Sequence, residues 1–112
     1  MARTAVHDGA LVIEFTAWER VLTWRRRVEV PLEAVREVRR ERHPFLRPHG
    51  VRVVGAEVAG LFKAGIWAGR RGRQLVAVRS GGTTAWIRTE GYGEFLVSAP
   101  ETVVATLEAA AP

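Results

Sequence analysis

The chain has 112 residues, 47% hydrophobic and 26% charged, which fits one globular domain burying about two thirds of its unfolded surface and excludes a disordered or fibrous protein. It contains no cysteine, so disulfide stapling and thiolate metal sites are excluded, and no apolar run approaches the roughly 20 residues that span a bilayer. The formal charge is +5, and all but one of the 17 basic residues are arginine.

The N-terminus, Met1-Ala2-Arg3-Thr4-Ala5-Val6-His7-Asp8, lacks the apolar core of a secretion signal, so a cytoplasmic protein is expected. Asp8 and Gly9 form a turn, after which Leu11, Ile13 and Phe15 alternate with Val12 and Glu14 as a strand. Thr16 to Thr23 is a connector with room for one helical turn. Val28-Glu29-Val30 is a short strand ended by Pro31, which cannot donate to a ladder. Residues 32–42 contain strong helix formers, but their apolar stripe is only Leu32, Val35 and Val38, thin for a helix that must bury a face. The expectation is one helical turn over Pro31–Ala34 and a strand from Val35.

His43 to Gly50 is a loop, with two prolines and a glycine in eight residues. Gly50, Gly55 and Gly60 punctuate the extended segment that follows. Phe62, Ala64, Ile66 and Ala68 alternate with Lys63, Gly65, Trp67 and Gly69, a strand with one lean face. Arg70-Arg71-Gly72-Arg73 is a basic hairpin turn into Leu75-Val76-Ala77-Val78. Gly81-Gly82 reads as a tight turn that pairs this strand with Thr84-Ala85-Trp86-Ile87-Arg88. Gly91-Tyr92-Gly93 turns again into Phe95-Leu96-Val97. Ser98 and Glu101 have the spacing of a capping box, with Pro100 in the first turn of a helix over roughly 99–110. Pro100, Val103, Val104, Leu107 and Ala111 form its apolar face, expected to cover an open end of the sheet. The fold class is mainly β, a compact barrel or orthogonal sandwich of about seven antiparallel strands, spanning roughly 6–98, with one C-terminal helix.

This order of parts resembles the bacterial pleckstrin-homology-like family of small actinobacterial-type proteins. The residues that carry the likeness are Leu11-Val12-Ile13-Glu14-Phe15, Val28 to Val35, Gly50 to Gly55, Phe62 to Trp67, Leu75 to Val78, and Tyr92 to Pro100. The resemblance implies a single domain over residues 1–112, with a split barrel in two near-orthogonal sheets and a capping helix. It also implies a strand over Val35–Arg42. Its motifs are structural, so it carries little about a ligand. Arg20 with Arg25-Arg26-Arg27 superficially resembles a phosphoinositide-binding arrangement, but Glu19 lies within the connector and no lysine ends the first strand.

No catalytic constellation stands out, and the chain is read as a non-enzyme without cofactors. His43 and His49 share a loop with no acid or cysteine to complete a metal site, and His7 is distant in sequence. Ser80 precedes a glycine turn with no histidine near it. Glu37 and Glu41 stand among arginines as solvated ion pairs.

The charge distribution is more informative. No acid lies between Glu57 and Glu90, whereas Lys63, Arg70, Arg71, Arg73, Arg79 and Arg88 do. With Trp18, Arg20, Trp24, Arg25, Arg26, Arg27 and Trp67, the residues Lys63, Arg70, Arg71 and Arg73 make up the candidate interaction surface, since interface hot spots favour Trp and Arg. The expected function is a non-catalytic binding or scaffold module acting through protein–protein contacts, with self-association as one form. Peripheral binding to anionic membrane is an alternative; five contacts of about 1 kcal/mol each give a dissociation constant of about 0.2 mM, which is weak. Non-specific nucleic-acid binding ranks below it, because acids are interspersed through the first half.

Overall fold

The structure, a computed structural model, describes residues 3–15, 27–42, 51–58, 62–69, 72–81 and 83–111. The expected connector over Thr16–Thr23 and the loop His43–Gly50 lie outside them.

The chain begins with a hairpin. Strands β1 (Arg3–His7) and β2 (Ala10–Glu14) pair antiparallel around Asp8 and Gly9, whose φ angles of 49° and 74° match the twist of a two-residue hairpin turn. β1 is a strand that the alternation starting at Leu11 did not announce. Strand β3 (Arg27–Pro31) adds to the other side of β2 and completes a three-stranded sheet in the order β1-β2-β3. Past Pro31 the Leu32 N–H donates to the Gly9 carbonyl at 3.0 Å, which ties the exit of β3 to the first turn. A single 3-10 turn over Leu32–Ala34 then leads into β4 (Val35–Arg40). The helix propensity of residues 32–42 yields to cross-strand pairing, as the thin apolar stripe implied.

The second sheet has six strands: β4, β5 (Val51–Val58), β6 (Phe62–Gly69), β7 (Gly72–Arg79), β8 (Thr83–Thr89) and β9 (Glu94–Ala99). Their order is β4-β8-β9-β7-β6-β5. β6 and β7 form the expected basic hairpin, closing at Gly69 and Gly72, and β8 and β9 pair antiparallel around Gly91–Gly93. The pairing predicted for Gly81-Gly82 does not occur. β9 lies between β7 and β8, antiparallel to β8 and parallel to β7, so the sheet is not wholly antiparallel. The end of β7 and the start of β8 therefore lie two strand spacings apart, about 10 Å. The physical reason lies in β9: Phe95, Leu96 and Val97 are all buried, and a strand apolar on both faces belongs inside a sheet rather than at its edge.

Helix α1 (Glu101–Ala110) packs against β4, β1 and β8 beside the three-stranded sheet. Val104 and Leu107 are fully buried, and Val103 and Ala111 are partly buried against the same core, so the predicted apolar face is the packed one. That core also takes Leu11, Ile13, Val28 and Val30 from the small sheet, Phe15 just past β2, and Leu75, Ala77, Ile87, Phe95 and Val97 from the large one. Trp67, Val76, Val78, Trp86 and Leu96 form a second buried cluster on the opposite face of the large sheet.

The predicted capping box is not formed. Pro100 is the N-cap residue and no side chain caps it; Ser98 belongs to β9. The Ser98 hydroxyl accepts the Arg79 backbone N–H at 3.0 Å and lies 3.4 Å from the Thr84 hydroxyl, joining the ends of β7 and β8 across β9. Glu101 is drawn elsewhere, accepting hydrogen bonds from Arg40 at 2.6 Å and from the Thr83 hydroxyl at 3.0 Å. The Arg40 guanidinium also holds Glu108 at 2.8 Å, so one residue of β4 grips both ends of α1. Those bonds, Arg40 first and Thr83 second, hold the Glu101 carboxyl below its ordinary value, and the two carboxylates push Arg40 upward.

The chain is thus mainly β, with two sheets and one C-terminal helix. Among the described residues there are nine strands, not about seven, and they form two separate sheets rather than a closed barrel.

Candidate binding site

Of the candidate surface residues, Trp18, Arg20, Trp24, Arg25, Arg26, Arg70 and Arg71 lie outside the described residues. The remaining four separate into two groups. Lys63 and Trp67 are 7% and 5% exposed, on the outer face of the large sheet, with the Lys63 ammonium 5.1 Å from the centre of the Trp67 ring. Burial removes both from a surface that a partner could touch. Arg27 and Arg73 are exposed, and both line one cleft.

This cleft, of about 390 Å³, opens between β3 and the starts of β7 and β9. Its apolar lining is Val28, Ile66, Leu75 and Phe95, and its polar lining is Arg27, Glu29, Arg73, Tyr92 and Glu94. Arg27 and Arg73 come from two basic clusters far apart in sequence. The fold brings them to one site, Arg27 at the start of β3 and Arg73 near the start of β7 both lining the cleft.

Three local features shape the cleft. Gly91 and Gly93, with φ of 87° and 93°, adopt a backbone that L side chains rarely enter. The Thr89 hydroxyl closes their turn by donating to the Gly93 carbonyl at 2.6 Å. Tyr92, between them, is 49% exposed at the cleft. Among the described residues β3 pairs with β2 alone, and Arg27, Val28 and Glu29 all line the cleft.

The carboxylates here are engaged. Glu29 Oε1 lies 2.7 Å from the Arg27 guanidinium, and Glu94 accepts the indole N–H of Trp86 at 2.5 Å. Arg73 has no carboxylate partner among the described residues. Among the described residues the site therefore offers a guanidinium without a counter-ion, a second guanidinium shared with Glu29, an exposed phenol, an apolar floor and a strand paired on one side.

On the outer face Arg39 stacks 5.7 Å from the centre of the Trp86 ring. Gln74, 8% exposed, keeps its side-chain carbonyl buried without a hydrogen-bond partner among the described residues. Among the described residues no group of three or more His, Cys, Asp or Glu converges to hold a metal ion, and no helix is long and apolar enough to cross a membrane. His7 sits 3.1 Å from Asp8 at the first turn.

The sequence reading missed Tyr92, Ile66, Phe95 and the edge of β3. An aromatic between two turn glycines was the available signal for Tyr92; the others depend on how the sheets are stacked. Comparison of the chain with protein-family models, curated proteins and solved structures finds no match in any of the three.

Proposed function

We propose that this chain is a non-catalytic binding module acting through protein–protein contacts, and that the cleft beside β3 is its recognition surface. The observation that carries the reading is the convergence of Arg27, Arg73 and the exposed Tyr92 on an apolar cleft. Tyrosine and arginine over an apolar floor are the side chains that dominate interface energetics. Two sheets with a C-terminal helix accord with a pleckstrin-homology-like domain, which we propose as the structural frame.

The test is photo-crosslinking in the native host, with a benzophenone amino acid at Tyr92 and, as control, at the exposed Ala109 of α1. Discrete protein adducts from position 92 and not from position 109 are expected; an adduct of twice the chain's mass identifies self-association. Absence of protein adducts, labelling of lipid or nucleic acid alone, or the same pattern at both positions overturns the proposal.

A further inference from the structure

We propose that the partner enters as an extended acidic segment that adds a strand to the edge of β3 away from β2. This rests on the reading of the cleft as a protein-binding surface and goes beyond it by naming the chemistry and conformation of what binds.

The backbone argument is geometric. Among the described residues β3 pairs with β2 alone, so the N–H and C=O groups on its other side have no strand partner among them, and Arg27, Val28 and Glu29 line the cleft. An unpaired strand edge is a template for another strand, with main-chain hydrogen bonds supplying affinity and alternate side chains supplying selectivity. Pro31, without an N–H, limits the paired length to the Arg27 end of β3, the end that the cleft exposes.

The side chains define the sequence that fits. In an added strand alternate residues point inward, over Ile66, Leu75 and Phe95, and these must be apolar. The others point outward beside Arg27 and Glu29. Like charges directly opposite destabilise a ladder, so a carboxylate fits opposite Arg27 and a neutral polar residue opposite Glu29. Arg73, which has no carboxylate partner among the described residues, takes a second acid at the same end. Charge-assisted bonds from guanidinium to carboxylate are the strong ones, and the +5 charge of the chain favours the approach of an anionic segment. The volume of about 390 Å³ lies in the range of clefts that accept a ligand of this kind.

The probe is a short acetylated and amidated peptide, Glu-Val-Glu-Val-Thr-Val-Thr, titrated into the full isotope-labelled chain. Saturable binding is expected, with amide shifts concentrated at Arg27–Val30 and Gly91–Phe95. Replacing both glutamates by lysine, N-methylating alternate peptide amides, or using the Arg73→Glu protein should each weaken binding roughly tenfold or more, the scale of one charge-assisted or several neutral hydrogen bonds. Arg73 is exposed, so circular dichroism of Arg73→Glu should match the parent; Arg73→Ala serves as a second variant. The inference is overturned if the peptide does not bind, if the N-methylated peptide binds equally, or if the shifts lie away from β3. It is also overturned if phosphatidylserine vesicles or oligothymidine shift those amides and the peptide does not. Crosslinking from Tyr92 to a partner, with no peptide binding, removes strand addition and leaves the binding module standing; loss of both removes both.

Discussion

Gly55 and Gly65 face each other on the β5–β6 ladder with no room for a side chain between them. A Cβ on Gly55 would lie 2.6 Å from the Ala64 carbonyl oxygen, and one on Gly65 would lie 2.5 Å from the Gly55 Cα and closer still to the Val54 carbonyl. Gly65 also has φ of 144°. Gly65→Ala is therefore expected to destabilise the chain by roughly 3 kcal/mol or more, combining backbone strain with overpacking. Gly72→Ala, at φ 104° with nothing within 4 Å of its Cβ, should lose only the backbone part, about 1–2 kcal/mol. Urea denaturation of the two variants checks this, and equal losses would show that the clash has no weight.

Ser98 distinguishes a strand staple from a helix cap. Ser98→Ala removes the acceptor of the Arg79 N–H and should cost about 1 kcal/mol. Hydrogen exchange at the Arg79 amide should accelerate, while exchange at the first amides of α1 should not change. Faster exchange confined to the start of α1 would restore the capping-box reading.

The Trp86–Glu94 bond joins neighbouring strands at the rim of the cleft. A double-mutant cycle of Trp86→Phe and Glu94→Gln should give a coupling of about 1 kcal/mol in stability, beyond the loss of ring volume in the tryptophan variant alone. A coupling indistinguishable from zero would mean that solvent replaces the bond at no cost.

The grip of Arg40 on α1 predicts a pH dependence. The Glu101 carboxyl lies below its ordinary value of 4.5 in the folded chain because of the Arg40 and Thr83 hydrogen bonds. A carboxyl lowered by folding stabilises the folded state above its unfolded value, and that contribution is lost as pH falls through the folded value. Arg40→Gln should therefore melt below the parent at about pH 6, with the gap narrowing as pH falls below 4.5. About 1 M salt should narrow it too, since these groups are exposed. A gap independent of both pH and salt would assign the role of Arg40 to packing.

Much of the fold is legible in local pattern. The Asp8-Gly9 turn, the basic hairpin ending at Gly72, the Gly91–Gly93 turn and the Val104–Leu107 face each follow from residues within a few positions of one another. So does the change from 3-10 turn to strand at Val35, where the stripe was too thin to bury a helix. Strand order is different in kind. Gly81-Gly82 is a sound hairpin signal, and only the all-buried run Phe95-Leu96-Val97, competing for the same slot, displaces β8 from β7. The cleft inherits that difficulty: Arg27 and Arg73 each stand in a visible basic cluster, but their convergence depends on how the two sheets are stacked. Lys63 and Trp67 mislead for a related reason, because alternation gives the face of a strand and not whether that face is covered.

The insertion of β9 excludes a direct β7–β8 hairpin from the mature sheet. β7 and β8 leave the ribosome first, joined by a glycine pair well suited to zipping them together, yet that direct hairpin and the mature sheet are mutually exclusive. Any pairing the two strands make with each other before β9 is translated must open to admit it.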